Sequence, residues 1–167
     1  MSRANDFVPS EAGSILLDDP LWKASDVTKN ALTFVAAFGS SAAPLLGRRL
    51  QEDCLFDTDD ERLRRQRSTL RVRSEGGKSL LTYKGPAIPG LIKIRDEYET
   101  VVADGAMLNR ILEELGLHCW FRYEKYREEF AAEDVVIAID ETPVGTFVEV
   151  EGGEARIALT AAALGFG

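Results

Sequence analysis

Polar and apolar residues alternate through much of the second half of the chain, and this alternation predicts strands. In the run FRYEKYREEF at 121–130, the side chains of Tyr123, Lys125 and Arg127 fall on every second residue. Side chains two residues apart share one face of an extended chain. This run is therefore predicted to be a strand with a row of charge on one face.

The same pattern of charge on one face recurs in five further runs, which are STLRVR at 68–73, KSLLTYK at 78–84, LIKIRDEYE at 91–99, VVIAID at 135–140 and FVEVE at 147–151. Across the six runs, seven cations share these faces, namely Arg71, Arg73, Lys84, Lys93, Arg95, Lys125 and Arg127. Five carboxylates accompany them, namely Glu97, Glu99, Asp140, Glu149 and Glu151. Between the first two runs, Gly76 and Gly77 predict a hairpin turn.

Apolar residues at helical spacing predict three helices, over about 26–38, from Asp104 to about Leu115, and over 154–164. A strand is expected over 47–55, and it is followed by an acidic turn at 56–60. Residues 1–24 show no regular pattern, so we expect loop or disorder there. The chain is thus divided into an N-terminal segment, 1–46, with one helix and a main domain, 47–167.

Composition narrows the classes of function. The 167 residues, 45% of them hydrophobic, fit one globular domain. A net charge of −8 argues against a protein that coats nucleic acid or an anionic membrane, since both need a dominant basic surface. Cys54, Cys119 and His118 form neither a disulfide framework nor a zinc spacing, so both cysteines are expected to be reduced. We expect a cytoplasmic protein with no nucleic-acid or membrane partner.

Two interpretations of the charged faces remain open from the residues alone. Arginine and lysine bind phosphate oxygens, and carboxylates hold Mg²⁺ or Mn²⁺, so together they suit a polyphosphate that arrives with its metal. Alternatively, the sheet is open and the charged face is wet and cross-paired, as one face of an antiparallel sheet often is.

Six segments in order resemble the CYTH superfamily, namely FDT at 56–58, TLRVR at 69–73, LTYKGP at 81–86, KIRDEYE at 93–99, FRYEKYREEF at 121–130 and IDETPVGTFVEVEG at 139–152. The resemblance covers roughly residues 50–166. Members of that superfamily include class IV adenylate cyclases, thiamine triphosphatases and inorganic triphosphatases. The resemblance implies an α+β fold in which an antiparallel, closed or nearly closed β tunnel of eight strands turns its charged faces inward and packs helices outside.

The resemblance also implies roles for particular residues. Those expected to bind the triphosphate are Arg71, Arg73, Lys84, Arg95, Lys125 and Arg127, of which Lys125 and Arg127 are expected to act in catalysis. Those expected to hold Mg²⁺ or Mn²⁺ are Glu97, Glu99, Asp140, Glu149 and Glu151. Lys93 lies outside these positions and is interpreted as a rim lysine.

The implied function is a metal-dependent enzyme acting on ATP, thiamine triphosphate or tripolyphosphate, either as a cyclase releasing cyclic AMP and pyrophosphate or as a hydrolase. Family members open with a strand bearing Glu-x-Glu-x-Lys, and nothing in residues 1–50 matches it. The alternative is therefore a module that binds triphosphate or polyphosphate without turnover. Exposed strand edges would also favour a homodimer.

Overall fold

The computed structural model describes residues 13–17, 42–89, 94–132 and 134–163, with side chains described from residue 47 onward. The predicted helix over 26–38 and Lys93 lie outside these residues. The strands are β1 Gly13–Leu17, β2 Ala42–Asp57, β3 Thr69–Glu75, β4 Lys78–Lys84, β5 Glu97–Val102, β6 His118–Ala132, β7 Val135–Thr142 and β8 Gly145–Gly152. The helices are α1 Arg62–Arg65, α2 Gly105–Glu114 and α3 Glu154–Ala163.

The eight strands form one antiparallel sheet in the order β1-β8-β7-β6-β2-β3-β4-β5. The predicted α+β fold with a nearly closed antiparallel β tunnel is confirmed. Among the described residues, β1 and β5 are the two edges and do not pair with each other. Hairpins join β3 to β4, β6 to β7 and β7 to β8, and the predicted turn at Gly76 and Gly77 is present with φ values of 55° and 78°. Glycine adopts these positive φ values without the steric cost that other residues meet.

The expectation of loop or disorder over residues 1–24 is wrong for Gly13–Leu17, which form β1. This strand pairs with β8 over five residues, with Leu16 opposite Glu149 and Ser14 opposite Glu151. Its sequence GSILL has no charged residue and is too short to show alternation. The partner that stabilises it lies more than a hundred residues away, so local pattern could not predict it.

The central strand β2 is longer than predicted. It runs through Phe56 and Asp57, so the expected acidic turn begins only at Thr58. Its pairing with β6 shifts register at three places, including one between Leu55 and Phe56. Such irregularities bend a strand and increase its twist. The two long strands, β2 and β6, lie at the centre of the sheet, with the β7–β8 hairpin on one side and the β3–β4 hairpin on the other.

Alternation separates the outer, apolar face of the sheet from the inner, charged one. On the outer face, α2 packs on β3 and β4, and Leu112 joins a buried cluster with Cys54, Phe56 and Val72. At the other end, α3 packs on β8 and β1 and buries Ile157. Also buried, on opposite positions of β7 and β8, are Ile137, Ile139, Val148 and Val150. The helices therefore lie outside, as predicted.

The two predicted helices near Asp104 and Glu154 are confirmed. Asp104 accepts a hydrogen bond from the Met107 N–H at 2.9 Å and caps α2, which ends before Leu115. The apolar stripe expected on α2 is only partly covered, since Leu112 is buried while Ile111 and Leu115 are exposed. None of the helices in the described part of the chain is long and apolar enough to cross a membrane.

The expectation of two unpaired cysteines is wrong in this structure, where Cys54 and Cys119 form a disulfide across β2 and β6. Their Cα atoms are 5.9 Å apart, within the range that a disulfide spans. The sequence separation of 65 residues gave no hint of this pairing. It follows from the register that places Phe56 opposite Cys119.

Candidate functional site

A cavity of about 530 Å³ lies inside the sheet, and all eleven site residues predicted from the sequence line it. The cations are Arg71, Arg73, Lys84, Arg95, Lys125 and Arg127, and the carboxylates are Glu97, Glu99, Asp140, Glu149 and Glu151. The lining also includes Arg49, Gln51, Leu55, Thr69, Glu75, Leu80, Tyr123 and Glu129. The volume falls in the range typical of small-molecule sites.

Strand register explains why the charged residues converge. Directly opposite residues on paired strands have their side chains on the same face. Arg127 on β6 faces Asp140 on β7, and Tyr123 faces Asp53 on β2. Asp53 in turn lies opposite Arg73 on β3. The charged rows predicted strand by strand thus become one continuous inner surface.

Asp140 is the centre of the first ion-pair network. Its carboxylate accepts one hydrogen bond from Lys125 Nζ and two from the Arg127 guanidinium, all at 2.7 Å. Arg127 also donates to Glu149 at 2.7 Å. Lys125, Arg127 and Asp140 are each less than 9% exposed.

The pKa values in this network follow from burial and neighbouring charge. Burial alone would raise the pKa of Asp140, but the hydrogen bonds and charges of Arg127 and Lys125 lower it. Burial and the neighbouring Arg127 charge lower the pKa of Lys125, although Asp140 opposes them. Burial would lower the pKa of Arg127, but Asp140 and Glu149 raise it. Two cations therefore share one buried carboxylate.

Asp53 is the centre of a second network that the sequence analysis missed. Its two oxygens accept hydrogen bonds from the Arg73 guanidinium at 2.7 Å, and the side chain is fully buried. Arg71 lies 3.9 Å away, and the Tyr123 hydroxyl lies beside the same carboxylate. Burial would raise the pKa of Asp53, but Arg73 and then Arg71 lower it. Burial, followed by the neighbouring Asp53 carboxylate, raises the pKa of Tyr123 to about 12.

Less buried pairs surround these two networks. Lys84 Nζ lies 2.8 Å from Glu97, and the Arg71 guanidinium lies 3.5 Å from Glu99. Thr82 also donates to Glu99 at 2.7 Å. Arg95 lines the cavity without an ion pair to any described residue. The carboxylates of the two ion pairs are 41% and 42% exposed, so water weakens the pairing and the basic members can turn toward a ligand at low cost.

A third cluster of polar residues, centred on β2, also lines the cavity and was not predicted from the sequence. Arg49 lies 2.5 Å from Glu75 and 2.7 Å from Glu129, and Gln51 donates to Glu75. Alternation within RRLQEDC could have identified Arg49, Gln51 and Asp53 as residues of one face. Rows of like charge marked the other strands, whereas this strand mixes a cation, an amide and a carboxylate on one face.

Two guanidinium nitrogens in the cavity wall are buried without a hydrogen-bond partner in the described structure. They are Arg71 Nε and Arg49 Nη1. A buried donor without an acceptor costs about 1–3 kcal/mol, and more where the group is charged. An oxyanion in the cavity would supply the acceptors that these donors lack.

The five predicted metal ligands have the chemistry for a divalent cation, but four of them, all except Glu151, form ion pairs with described arginine or lysine residues. Among the described residues, no three His, Cys, Asp or Glu side chains are grouped as a metal site. The side chain of Glu151 lines the cavity and is exposed, yet desolvation by the surrounding protein, followed by repulsion from Glu149, raises its pKa. Glu97 adds to this repulsion. Carboxylate oxygens are the ligands that hard divalent cations prefer, so the metal role of Glu97, Glu149 and Glu151 stays a prediction.

A sequence model of the CYTH domain family matches residues 28–162. The chain belongs to the CYTH domain family. A relative from Methanocaldococcus jannaschii, named as a candidate adenylate cyclase, is 34% identical over 105 residues, which are 62% of this chain and 60% of that protein. The CYTH chain thus spans less than two thirds of the length of this relative.

Solved structures share the CYTH fold at low sequence identity. A conserved hypothetical protein from Pyrococcus furiosus superposes with a TM-score of 0.72 at 19% identity, over 93% of this chain and 91% of that one. A candidate adenylyl cyclase from Hippeastrum, described as having a dominant triphosphatase activity, gives a TM-score of 0.63 at 19% identity, over 94% and 86%. At these identities the likeness shows the fold alone.

Proposed function

We propose that this CYTH protein is a divalent-metal-dependent enzyme that acts on a triphosphate substrate. The observation that supports this most is the convergence of six predicted phosphate-binding cations on one cavity, where two buried guanidinium nitrogens still lack acceptors. Phosphoryl transfer depends on positioning and on neutralising charge more than on covalent catalysis. A cavity lined in this way supplies both.

The ion pairs between the cations and carboxylates of the cavity suggest how a triphosphate would bind. Phosphate oxygens would replace Asp140 and Glu149 as partners of Lys125 and Arg127, and would replace Glu97 as the partner of Lys84. Because the cations are already positioned by these carboxylates, little reorganisation is needed. The exchange leaves the carboxylates without their cations, and they become available as ligands.

Glu97, Glu149 and Glu151 would then hold Mg²⁺ or Mn²⁺, with Glu99 and Asp140 as further ligands. When bound, such a cation neutralises phosphate charge and stabilises the charge that develops on the leaving group. The residues of the chain itself would bind the triphosphate and align it for the reaction. Lys125 and Arg127, which are buried, would stabilise the charge of the transition state.

Product analysis tests the proposal and separates its two versions. We expect the protein to consume ATP or tripolyphosphate with Mg²⁺ or Mn²⁺ and not in EDTA. Cyclic AMP and pyrophosphate from ATP identify a cyclase, whereas ADP and phosphate, with consumption of one water, identify a hydrolase. Ion-exchange chromatography distinguishes all four products. Intact substrates after prolonged incubation with either metal would contradict the proposal.

Replacing Lys125 by methionine is expected to lower kcat/KM by about 10²- to 10³-fold, because a buried charge that stabilises the transition state is lost. Asp140 keeps its two hydrogen bonds to Arg127, so the fold should persist. Lys78→Met, an exposed lysine at the start of β4, is the matched control and should keep full activity. Steady-state kinetics with a folding check by circular dichroism measures both. Full activity in Lys125→Met would argue against a catalytic lysine.

A second function is favoured by one observation on β1. The strand that pairs with Glu149 and Glu151 of β8 is GSILL, which has no carboxylate or lysine to add to the site. A CYTH domain whose first strand lacks these carboxylates and this lysine could still bind triphosphate through the cations of its other strands. This alternative predicts that tripolyphosphate binds in EDTA and is not consumed when Mg²⁺ is added. The proposed homodimer and cytoplasmic location stay predictions.

A further inference from the structure

A half-exposed aromatic side chain continues the inner face of β6 one step beyond Tyr123, which lines the cavity, and we call this end of the inner face the mouth. Phe121 is 49% exposed and precedes Tyr123 by two residues on β6. It lies opposite Leu55 of β2, and both Leu55 and Tyr123 line the cavity. Phe121 therefore extends the inner face that continues to Lys125 and Arg127, with an apolar surface at the entrance to a charged interior.

The rings at this mouth are held in place. Phe121 and Tyr123 have ring centroids 5.7 Å apart and are tilted by 33°. Tyr123 lies directly opposite Asp53, which is itself fixed by two hydrogen bonds from Arg73. Phe121 also contacts Trp120, with ring centroids 5.5 Å apart. An ordered aromatic surface loses little entropy when a ligand stacks on it.

We propose that Phe121, supported by Tyr123 and Leu55, binds a planar aromatic group that is linked to the triphosphate. This inference rests on the proposed function and narrows its substrate class to organic triphosphates, such as a nucleoside triphosphate, over bare tripolyphosphate. Aromatic rings offer stacking faces to planar heterocycles, largely without regard to their identity.

The spacing along β6 agrees with such a ligand. Four residues of extended strand separate Phe121 from Lys125, a distance of about 13 Å. A ring stacked at Phe121 and a phosphate bound at Lys125 would thus be joined by a linker such as ribose and one or two phosphates. Stacking on Phe121 does not require hydrogen bonds between the protein and the ring.

Calorimetry on the full chain tests the inference, with ATP, thiamine triphosphate and tripolyphosphate each titrated in Mg²⁺ and in EDTA. For Phe121→Ala we expect the Kd of at least one organic ligand to rise about five- to one-hundredfold, while that of tripolyphosphate is unchanged. Phe121→Trp should retain binding because it keeps a stacking face. Tyr98→Ala is the matched control, since Tyr98 is also an exposed aromatic on a strand but lies on the outer face against Tyr83.

The outcomes separate this inference from the function on which it rests. A larger loss for ATP, or for thiamine triphosphate, supports the inference and identifies the aromatic group. Unchanged binding of both in Phe121→Ala, with tripolyphosphate still bound, overturns the inference and leaves the proposed function intact. Equal losses for all three ligands also overturn it, because Phe121 would then be structural. Failure of the wild-type chain to bind any of them overturns both.

Discussion

Replacing Asp140 by asparagine is expected to destabilise the ligand-free protein by about 3 kcal/mol, because two buried cations lose their shared counter-ion. Lys125 and Arg127 are held by this carboxylate through three hydrogen bonds of 2.7 Å. Arg127 keeps Glu149, whereas Lys125 keeps no other ion pair among the described residues. For a domain of this size the melting temperature should fall by about 6–12 °C.

Tripolyphosphate is expected to restore much of this loss. A bound triphosphate supplies negative charge to the same two cations, so it should raise the melting temperature of Asp140→Asn more than that of the wild type. Calorimetric melting in EDTA, with and without tripolyphosphate, measures this difference. Glu141→Gln is the matched control, since Glu141 is the next residue on β7 and pairs with the exposed Arg48. That pair should contribute less than about 1 kcal/mol.

The effect of Asp140→Asn should depend on pH in a defined direction. The pKa of Asp140 is lower in the folded protein than in the unfolded chain, where it is about 3.9. A lowered pKa contributes stability that is present above the unfolded value and lost as the pH falls through the folded value. The gap between wild type and variant should therefore be full at neutral pH and narrow below about pH 4. A gap that widens on acidification would show that Asp140 is not held as a carboxylate.

Alternation predicted most of the inner face of the site, although not the part that β2 contributes. Every second residue in runs such as TLRVR and FRYEKYREEF points to one side, and the structure places Arg71, Arg73, Lys125 and Arg127 together on that side. A period of two needs no knowledge of which strands are neighbours. The roles of these residues stay predictions, because alternation shows where a side chain points and not what it binds.

Features that depend on long-range pairing could not be predicted. The strand β1 exists because β8 pairs with it, and the disulfide between Cys54 and Cys119 exists because β2 and β6 are neighbours. The burial of Asp53 likewise depends on Arg73 and Tyr123 from two other strands. An aspartate among polar residues is expected to be exposed, and only its partners on other strands explain why Asp53 is buried.

Replacing Asp57 by alanine is expected to destabilise the protein by about 3 kcal/mol, because a fully buried carboxylate with four hydrogen bonds is removed. One oxygen accepts from the N–H groups of Thr58 and Leu63, both at 2.8 Å. The other accepts from the backbone N–H and the side chain of Arg64, at 3.0 and 3.2 Å. Alanine would leave these donors buried or force them into water.

Urea unfolding at pH 7 measures this loss as a lower midpoint with an unchanged slope. Asp60→Ala is the matched control, because Asp60 lies three residues along, is exposed and pairs with Arg65 at the surface. Its loss should cost less than about 1 kcal/mol. Equal midpoints for Asp57→Ala and wild type would contradict the prediction. If trypsin nevertheless cleaved the variant faster within α1, only this turn would depend on Asp57.

The Asp57 carboxylate connects the turn after β2 to the aromatic side chains at the mouth of the cavity. Arg64, held by Asp57, places its guanidinium 4.0 Å above the Trp120 ring, which in turn contacts Phe121. A cation over an aromatic face is attracted by the ring and helps to fix its orientation. Asp57→Ala should therefore weaken binding of an organic triphosphate more than that of tripolyphosphate, even under conditions where the variant is fully folded. Equal weakening of the two ligands would show that Asp57 does not act through Phe121.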